Sequence, residues 1–197
     1  MDIKLLEQQL RDAANNYYAG NPIMADSEFD ILKEELEQQD PDNAFLKEIG
    51  APVQVTAWPV VKHSRMIGSL AKVKYNEKDE FLKWASDKGD LILTEKLDGI
   101  TIVATYNKGE LLHAVTRGNG AEGENITPNF VVMGNTAETL DQRFSGELRG
   151  EIILEKSVFQ KHFAGYKNCR NAAAGKARDT KNKDGLVQHL KVLWFQA

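Results

Sequence analysis

The sequence predicts an α+β protein in two parts, a small helical hairpin followed by mixed helices and antiparallel sheets. Three observations predict it. Apolar residues recur at helical spacing over about the first forty positions. From residue 100 onward, period-two alternation replaces that pattern. Between the two lies a linker-like stretch punctuated by Ala51-Pro52 and Trp58-Pro59. The boundary is placed near residues 55–65, giving a helical domain over 1–60 and an α+β domain over 61–197.

The first helix is read over 3–18. Ile3, Leu6, Leu10, Ala13, Ala14 and Tyr17 form its stripe, and Asp2 can cap it. Ala19-Gly20-Asn21-Pro22 breaks it. A second helix starts at Asp26 or Ser27 and runs through Phe29, Leu32 and Leu36 until Asp40-Pro41-Asp42 stops it. Asn76 can cap a further helix whose buried side would be Phe81, Leu82, Trp84 and Ala85, with Gly89 as its stop. Leu91-Ile92-Leu93 reads as a short buried strand. Residues 100–106 alternate, Asn107-Lys108-Gly109 turns, and 111–116 returns, which makes a β-hairpin. Residues 147–154 and 190–195 are further strand candidates. The last of these is an apolar run with little sequence after it, so a sheet that does not close on this chain alone is expected.

Composition narrows the class. The chain has 197 residues, 42% of them hydrophobic, and a formal net charge of -4. That supports one good core or two small ones, and no global basic field advertises nucleic acid. Charge is uneven, however. Asp26, Glu28, Asp30, Glu34 and Glu35 belong to an acidic N-terminal part, whereas Lys161, Lys167, Arg170, Lys176, Arg178, Lys181 and Lys183 crowd a later stretch. One cysteine, Cys169, builds neither a disulfide framework nor a cysteine-based zinc site. No apolar run is long enough to span a bilayer and no signal peptide is read, so a cytoplasmic setting is expected.

The chemistry centres on Lys96 in Thr94-Glu95-Lys96-Leu97-Asp98-Gly99. A lysine between two strand-like runs is placed to be a nucleophile, but only if desolvation or a nearby cation disfavours its charged form. Glu95 and Asp98 would work against that unless they point away or hold other groups. Downstream, Thr116-Arg117-Gly118-Asn119-Gly120 makes a glycine-rich turn able to cradle ribose or phosphate. Leu148-Arg149-Gly150-Glu151 places one carboxylate on a strand. Asn168-Cys169-Arg170-Asn171-Ala172-Ala173-Ala174-Gly175, followed by Arg178, combines a tightly packed helix start with phosphate-binding side chains. His63 reads as a structural histidine and Cys169 as inert.

Taken in order, Lys-x-Asp-Gly, Thr-Arg-Gly-x-Gly, Arg-Gly-Glu and Asn-x-Arg-Asn-Ala-Ala-Ala-Gly resemble the adenylation domain of NAD-dependent DNA ligases. The run 21–30, preceded by Tyr17-Tyr18, is similar to the small helical domain with which these ligases hold the nicotinamide mononucleotide (NMN) half of NAD. The resemblance covers nearly the whole chain. It implies an incomplete nucleotidyltransferase domain of the ATP-grasp-like ligase type after the helical hairpin. It also implies roles: Lys96 attacks the α-phosphate of NAD, releases NMN and carries AMP, the first step of nick sealing in DNA replication and repair. Ser69 and Leu70 would line the adenine site, with Thr94 and Glu95 beside it, while Arg117 and Glu151 would contact AMP around its ribose. Asp98 would order the lysine. Tyr17, Tyr18, Asp26, Phe29 and Asp30 would grip the leaving half, and Arg170 and Arg178 would meet nucleic-acid or nucleotide phosphates. Mg²⁺ would offset phosphate charge, and nicked double-stranded DNA would be the substrate.

The sequence departs from the family pattern in places. Phe29 stands where the family has tyrosine, Thr94 where it has a carboxylate, and Cys169 where it has proline. The run around Tyr17 is about one residue shorter. The resemblance further implies two downstream lysines, an oligonucleotide-binding barrel, a zinc module and helix-hairpin-helix elements, to be supplied by a missing C-terminal region or a second polypeptide. Poor self-adenylation by this chain alone is therefore expected. The alternative is a non-catalytic module that keeps the NAD pocket or a ligase-partner surface. An ATP-using nucleotidyltransferase is a third reading, opposed by Asp26-x-x-x-Asp30, since ATP has no nicotinamide half to hold.

Overall fold

The computed structural model describes residues 2–18, 23–48, 58–68, 73 and 77–197, with the backbone alone at 17, 18, 26 and 27. The helical part is α1 (Ile3–Tyr18), α2 (Asp26–Gln39) and the single turn α3 (Ala44–Lys47). Asp2 caps α1 by accepting from the Lys4 amide at 3.0 Å, and Asn43 caps α3 by accepting from the Phe45 amide at 2.9 Å. The middle of the predicted stripe is buried: Leu6, Leu10 and Ala13 of α1 and Leu36 of α2 are enclosed, with Phe29, Leu32, Phe45 and Leu46 packed against the leucines, while Ile3 at its start is exposed. Ala19 to Pro22 and Asn76, read as a break and a cap, lie outside the described residues.

The remainder consists of β1 (Val60–Lys62), α4 (Lys78–Ala85), β2 (Ile100–Asn107), β3 (Glu110–Thr116), β4 (Glu122–Glu124), α5 (Thr127–Phe130), β5 (Gly146–Ile153), α6 (Lys156–His162), α7 (Cys169–Ala177) and β6 (Lys191–Gln196). A four-stranded sheet runs in the order β3-β2-β5-β6 with every pair antiparallel, and β1 pairs with β4. The predicted hairpin is β2–β3. Lys108 (φ 49°) and Gly109 (φ 80°) carry the two positive φ angles that a type I′ turn requires.

Period two then divides the sheet. Ile102, Ala104 and Tyr106 of β2, Ala114 of β3, Ile152 of β5 and Val192 of β6 enter a second core, closed by Phe130, Phe163 and the alanines of α7. Ala172, Ala173 and Ala177 are small enough to bring α7 directly onto the sheet. The opposite face carries Thr101, Val103, Thr105, His113, Val115, Glu147, Arg149 and Glu151, and the chemistry-bearing residues lie there.

Two expectations fail. Leu91, Ile92 and Leu93 form no strand, and Ile92 and Leu93 are 91% and 98% exposed. Helix α4 buries none of its residues: the Phe81 and Trp84 rings lie 5.9 Å apart between centroids, and Phe81, Leu82 and Trp84 are all exposed. In both cases an apolar pattern states that cover is wanted. Among the described residues nothing supplies it.

Candidate active site

The lysine segment enters the sheet through Gly99. Its amide donates to Glu151 Oε1 at 3.2 Å, and the Thr101 hydroxyl donates to Glu151 Oε2 at 3.0 Å. Both contacts follow from register, since Thr101 lies directly opposite Glu151 across β2 and β5. The approach leaves no room for a side chain at Gly99, where a Cβ would stand 2.0 Å from the Ile152 carbonyl oxygen. Burial raises the Glu151 pKa above the ordinary carboxylate range, opposed by the Thr101 bond, the Arg170 and Lys96 charges and the Gly99 amide.

Lys96 itself is exposed, as are Thr94 and Glu95. Asp98 accepts from Arg170 Nη1 at 2.7 Å, which ties the lysine segment to the first turn of α7. That turn is fixed by Asn168, whose side chain accepts from the Asn171 amide at 2.8 Å. Lys96, Asp98, Gly99, Thr101, Glu151 and Arg170 are thus one cluster. Sequence reasoning does not reach Thr101; the signal for it is the β2–β5 register, which places it on the face of Glu151.

Arg117 sits at the start of the glycine-rich turn, and its amide donates to the Thr101 carbonyl at 3.1 Å, beside the same cluster. Gly118 (φ 55°) and Gly120 (φ 89°) take left-handed conformations, and Asn119 accepts from the Ala121 and Glu122 amides, each at 3.0 Å. His63 Nε2 lies 3.1 Å from the Thr116 carbonyl oxygen and 3.2 Å from that of Arg117, a satisfied structural histidine beneath the turn. A cleft of about 190 Å³ opens beside it, lined by Lys62, His63, Ser64, Thr105, His113 and Glu147 among others. Burial lowers the His113 pKa, with Glu147 opposing and His63 assisting.

Arg178 belongs to a different cluster. Its guanidinium lies 3.6 Å from the buried Glu124 and donates to the Ala174 carbonyl at 3.2 Å. Its own carbonyl accepts from the Trp58 indole at 2.7 Å. Of the residues read for the NMN half, Asp30 is exposed on α2, and Phe29 meets the Phe45 ring edge-on at 6.4 Å between centroids. The backbone of Tyr17 and Tyr18 ends α1 and that of Asp26 begins α2, while their side chains lie outside the described residues; Ser69 and Leu70 lie outside them altogether.

Residues 55–197 match the family model of the NAD-dependent DNA ligase adenylation domain. The chain belongs to this family. It is similar to the DNA ligase of Sorangium cellulosum (34% identical, over 98% of this chain and 32% of that protein). It is also similar to the DNA ligases of Treponema pallidum (31%, over 99% and 24%) and Ruminiclostridium cellulolyticum (37%, over 87% and 28%). The chain therefore spans a third or less of the length of these relatives. Every element of the lysine cluster falls inside the stretch matched by the ligase adenylation family, and the α1–α2 hairpin precedes it. No helix among the described residues is long and apolar enough to cross a membrane.

Proposed function

We propose that this chain carries the NAD-binding and self-adenylating part of a cytoplasmic NAD-dependent DNA ligase, with residues 1–60 holding NMN and residues 61–197 holding AMP. One observation carries the reading. In a chain of this family, the Lys-x-Asp-Gly segment is joined through Gly99, Thr101 and Glu151 to the sheet and through Asp98 and Arg170 to α7. The Lys96 amine, once deprotonated, attacks the α-phosphorus of NAD. An N–P bond forms, the P–O bond to NMN breaks, and NMN leaves with the electron pair. AMP stays on Lys96 as a phosphoramidate, ready for transfer to the 5′-phosphate of nicked double-stranded DNA. Arg117 and Glu151 would hold AMP around its ribose, with Thr94, Glu95, Ser69 and Leu70 at its adenine. Tyr17, Tyr18, Asp26, Phe29 and Asp30 would grip NMN, aromatic faces and carboxylates suiting a cationic ring. Arg178 would serve phosphate contacts once freed from Glu124.

Mg²⁺ fits this reading as a companion of the nucleotide. Among the described residues no group of three or more His, Cys, Asp or Glu could hold a metal ion. Mg²⁺ would be carried largely by substrate phosphates and water, offsetting the charge that builds there.

The exposed lysine and the uncovered apolar surfaces of α4 and 91–93 support a second element of the proposal. Further polypeptide, in the same chain or a second one, covers these residues and completes the site. The test is intact-mass measurement after incubation with NAD and Mg²⁺. Slow or negligible AMP uptake by this chain alone is expected, rising when the completing polypeptide is added. Lys96→Ala should abolish uptake, and deletion of residues 1–60 should remove the use of NAD. Efficient uptake by the isolated chain would sink the claim that the site needs completion, and uptake by Lys96→Ala would sink the assignment of the nucleophile. A non-catalytic NAD-binding module is the second reading, favoured by the exposure of Lys96. It predicts NAD binding with no AMP transfer even after completion.

A further inference from the structure

Two carboxylates stand near Lys96 besides its chain neighbour Glu95. Asp98 is two residues away on the same segment, and Glu151 is held against that segment by the Gly99 amide, which donates to its Oε1 at 3.2 Å three residues after Lys96. A lysine held by carboxylates stays an ammonium, which has no lone pair with which to attack. The structure answers both with one cation. Arg170, on the first turn of α7, donates to Asp98 at 2.7 Å, and its charge also acts on Glu151. Its side chain as a whole is 28% exposed and leaves from the first turn of α7, so the helix sets where its guanidinium meets Asp98. Helix α7 in turn is anchored by the Asn168 cap and by alanines packed on the sheet.

We propose that Arg170 is a positioning residue for the nucleophile: it engages Asp98, offsets Glu151, and so keeps the lysine segment from closing into an internal Lys96–carboxylate pair. This rests on Lys96 being the adenylated residue, and it gives Arg170 a part distinct from phosphate contact. The charged groups of the cluster around the lysine segment are Glu95 and Asp98 on the segment itself, Glu151 on β5 and Arg170 on α7. The ion pair adds little to stability, because Asp98 is 70% exposed and such pairs are weak. Its consequence is electrostatic and local.

The test reads amine reactivity directly and needs no ligase partner. The full chain is labelled with a limiting amount of acetic anhydride at fixed pH, and Lys96 is quantified by peptide mass against the exposed Lys108 on the β2–β3 turn as internal reference, with circular dichroism checking that each variant is folded. Arg170→Gln should slow Lys96 labelling about threefold or more, the effect of one nearby charge in a water-rich setting. Arg170→Lys should restore most of it, which a purely steric role would not do. Asp98→Asn, a change at an exposed position that threatens folding least, should speed labelling by removing one carboxylate while leaving the cation. Unchanged or faster labelling in Arg170→Gln, or unchanged labelling in Asp98→Asn, overturns the proposal. AMP uptake is measured separately on the same proteins. If the labelling pattern holds but no AMP is transferred under any completion, the electrostatic effect of Arg170 on Lys96 stands while the ligase reading fails, and with it the role of that effect in catalysis. If AMP is transferred but labelling ignores Arg170, the reverse is true.

Discussion

At the scale of the single residue, Glu151 shows how register makes a site. It is one carboxylate in a strand, and its neighbours across β2 are what give it character: the Gly99 amide and the Thr101 hydroxyl each take one of its oxygens. Burial nevertheless wins, and its pKa is raised. The folded state therefore holds the Glu151 proton more tightly than the unfolded chain does. The stabilisation from this group is complete below the ordinary carboxylate pKa and declines as pH rises toward its folded value. Glu151→Gln removes that dependence. The difference in melting temperature, variant minus wild type, should climb as pH rises through this window and level off above it. Thermal unfolding across a pH series checks this, and a flat or falling difference refutes it. The identity of Glu151 as a candidate was legible in Arg-Gly-Glu. Its protonation behaviour was not, because it depends on Thr101 and on a close approach that only a glycine at 99 permits.

At the scale of the element, the sequence was most legible where a pattern closes on itself. The β2–β3 hairpin needs only alternation and a two-residue turn, and both are local. The α1–α2 stripe likewise meets its own partner. The run 91–93 was misread because three apolar residues specify burial but not what lies alongside, and no strand of the described sheets does. Lys176 illustrates a contact beyond local pattern. It looks like one more basic residue in a basic stretch, yet it is 8% exposed and donates to both Asp179 (3.2 Å) and Asp184. Burial pulls its pKa down, and the two carboxylates outweigh that and leave it raised. Asp179 and Asp184 each also accept from backbone amides of the loop that follows α7, at Lys181, Asn182 and Leu186. Lys176 is thus the tie between helix and loop. Lys176→Met should lower the melting temperature by about 3–8 °C and speed tryptic cleavage at Lys181 and Lys183. A variant with unchanged cleavage kinetics would show that the loop holds without it.

At the scale of the whole molecule, the apolar residues fall into two enclosed clusters and an uncovered remainder. The clusters account for the α1–α2 hairpin and for the sheet with α5 and α7. Among the described residues, the uncovered remainder includes Phe81, Leu82 and Trp84 of α4, Ile92 and Leu93 ahead of the lysine segment, and Phe195 on the edge strand β6. Large exposed apolar surface on a chain with good internal packing marks a place of association. The location matters, because residues 91–93 lead directly into the Lys96 segment. If that surface is the seat of the completing polypeptide, changing it should separate folding from function. Ile92→Asn with Leu93→Asn removes side chains that touch little in this chain, so the melting temperature should move by less than about 2 °C. The same double change should abolish the gain in AMP uptake that the completing polypeptide confers, while NAD binding, read by calorimetry, persists. A large loss of stability would instead place these side chains in this chain's own core, and retained complementation would move the contact surface away from the lysine segment.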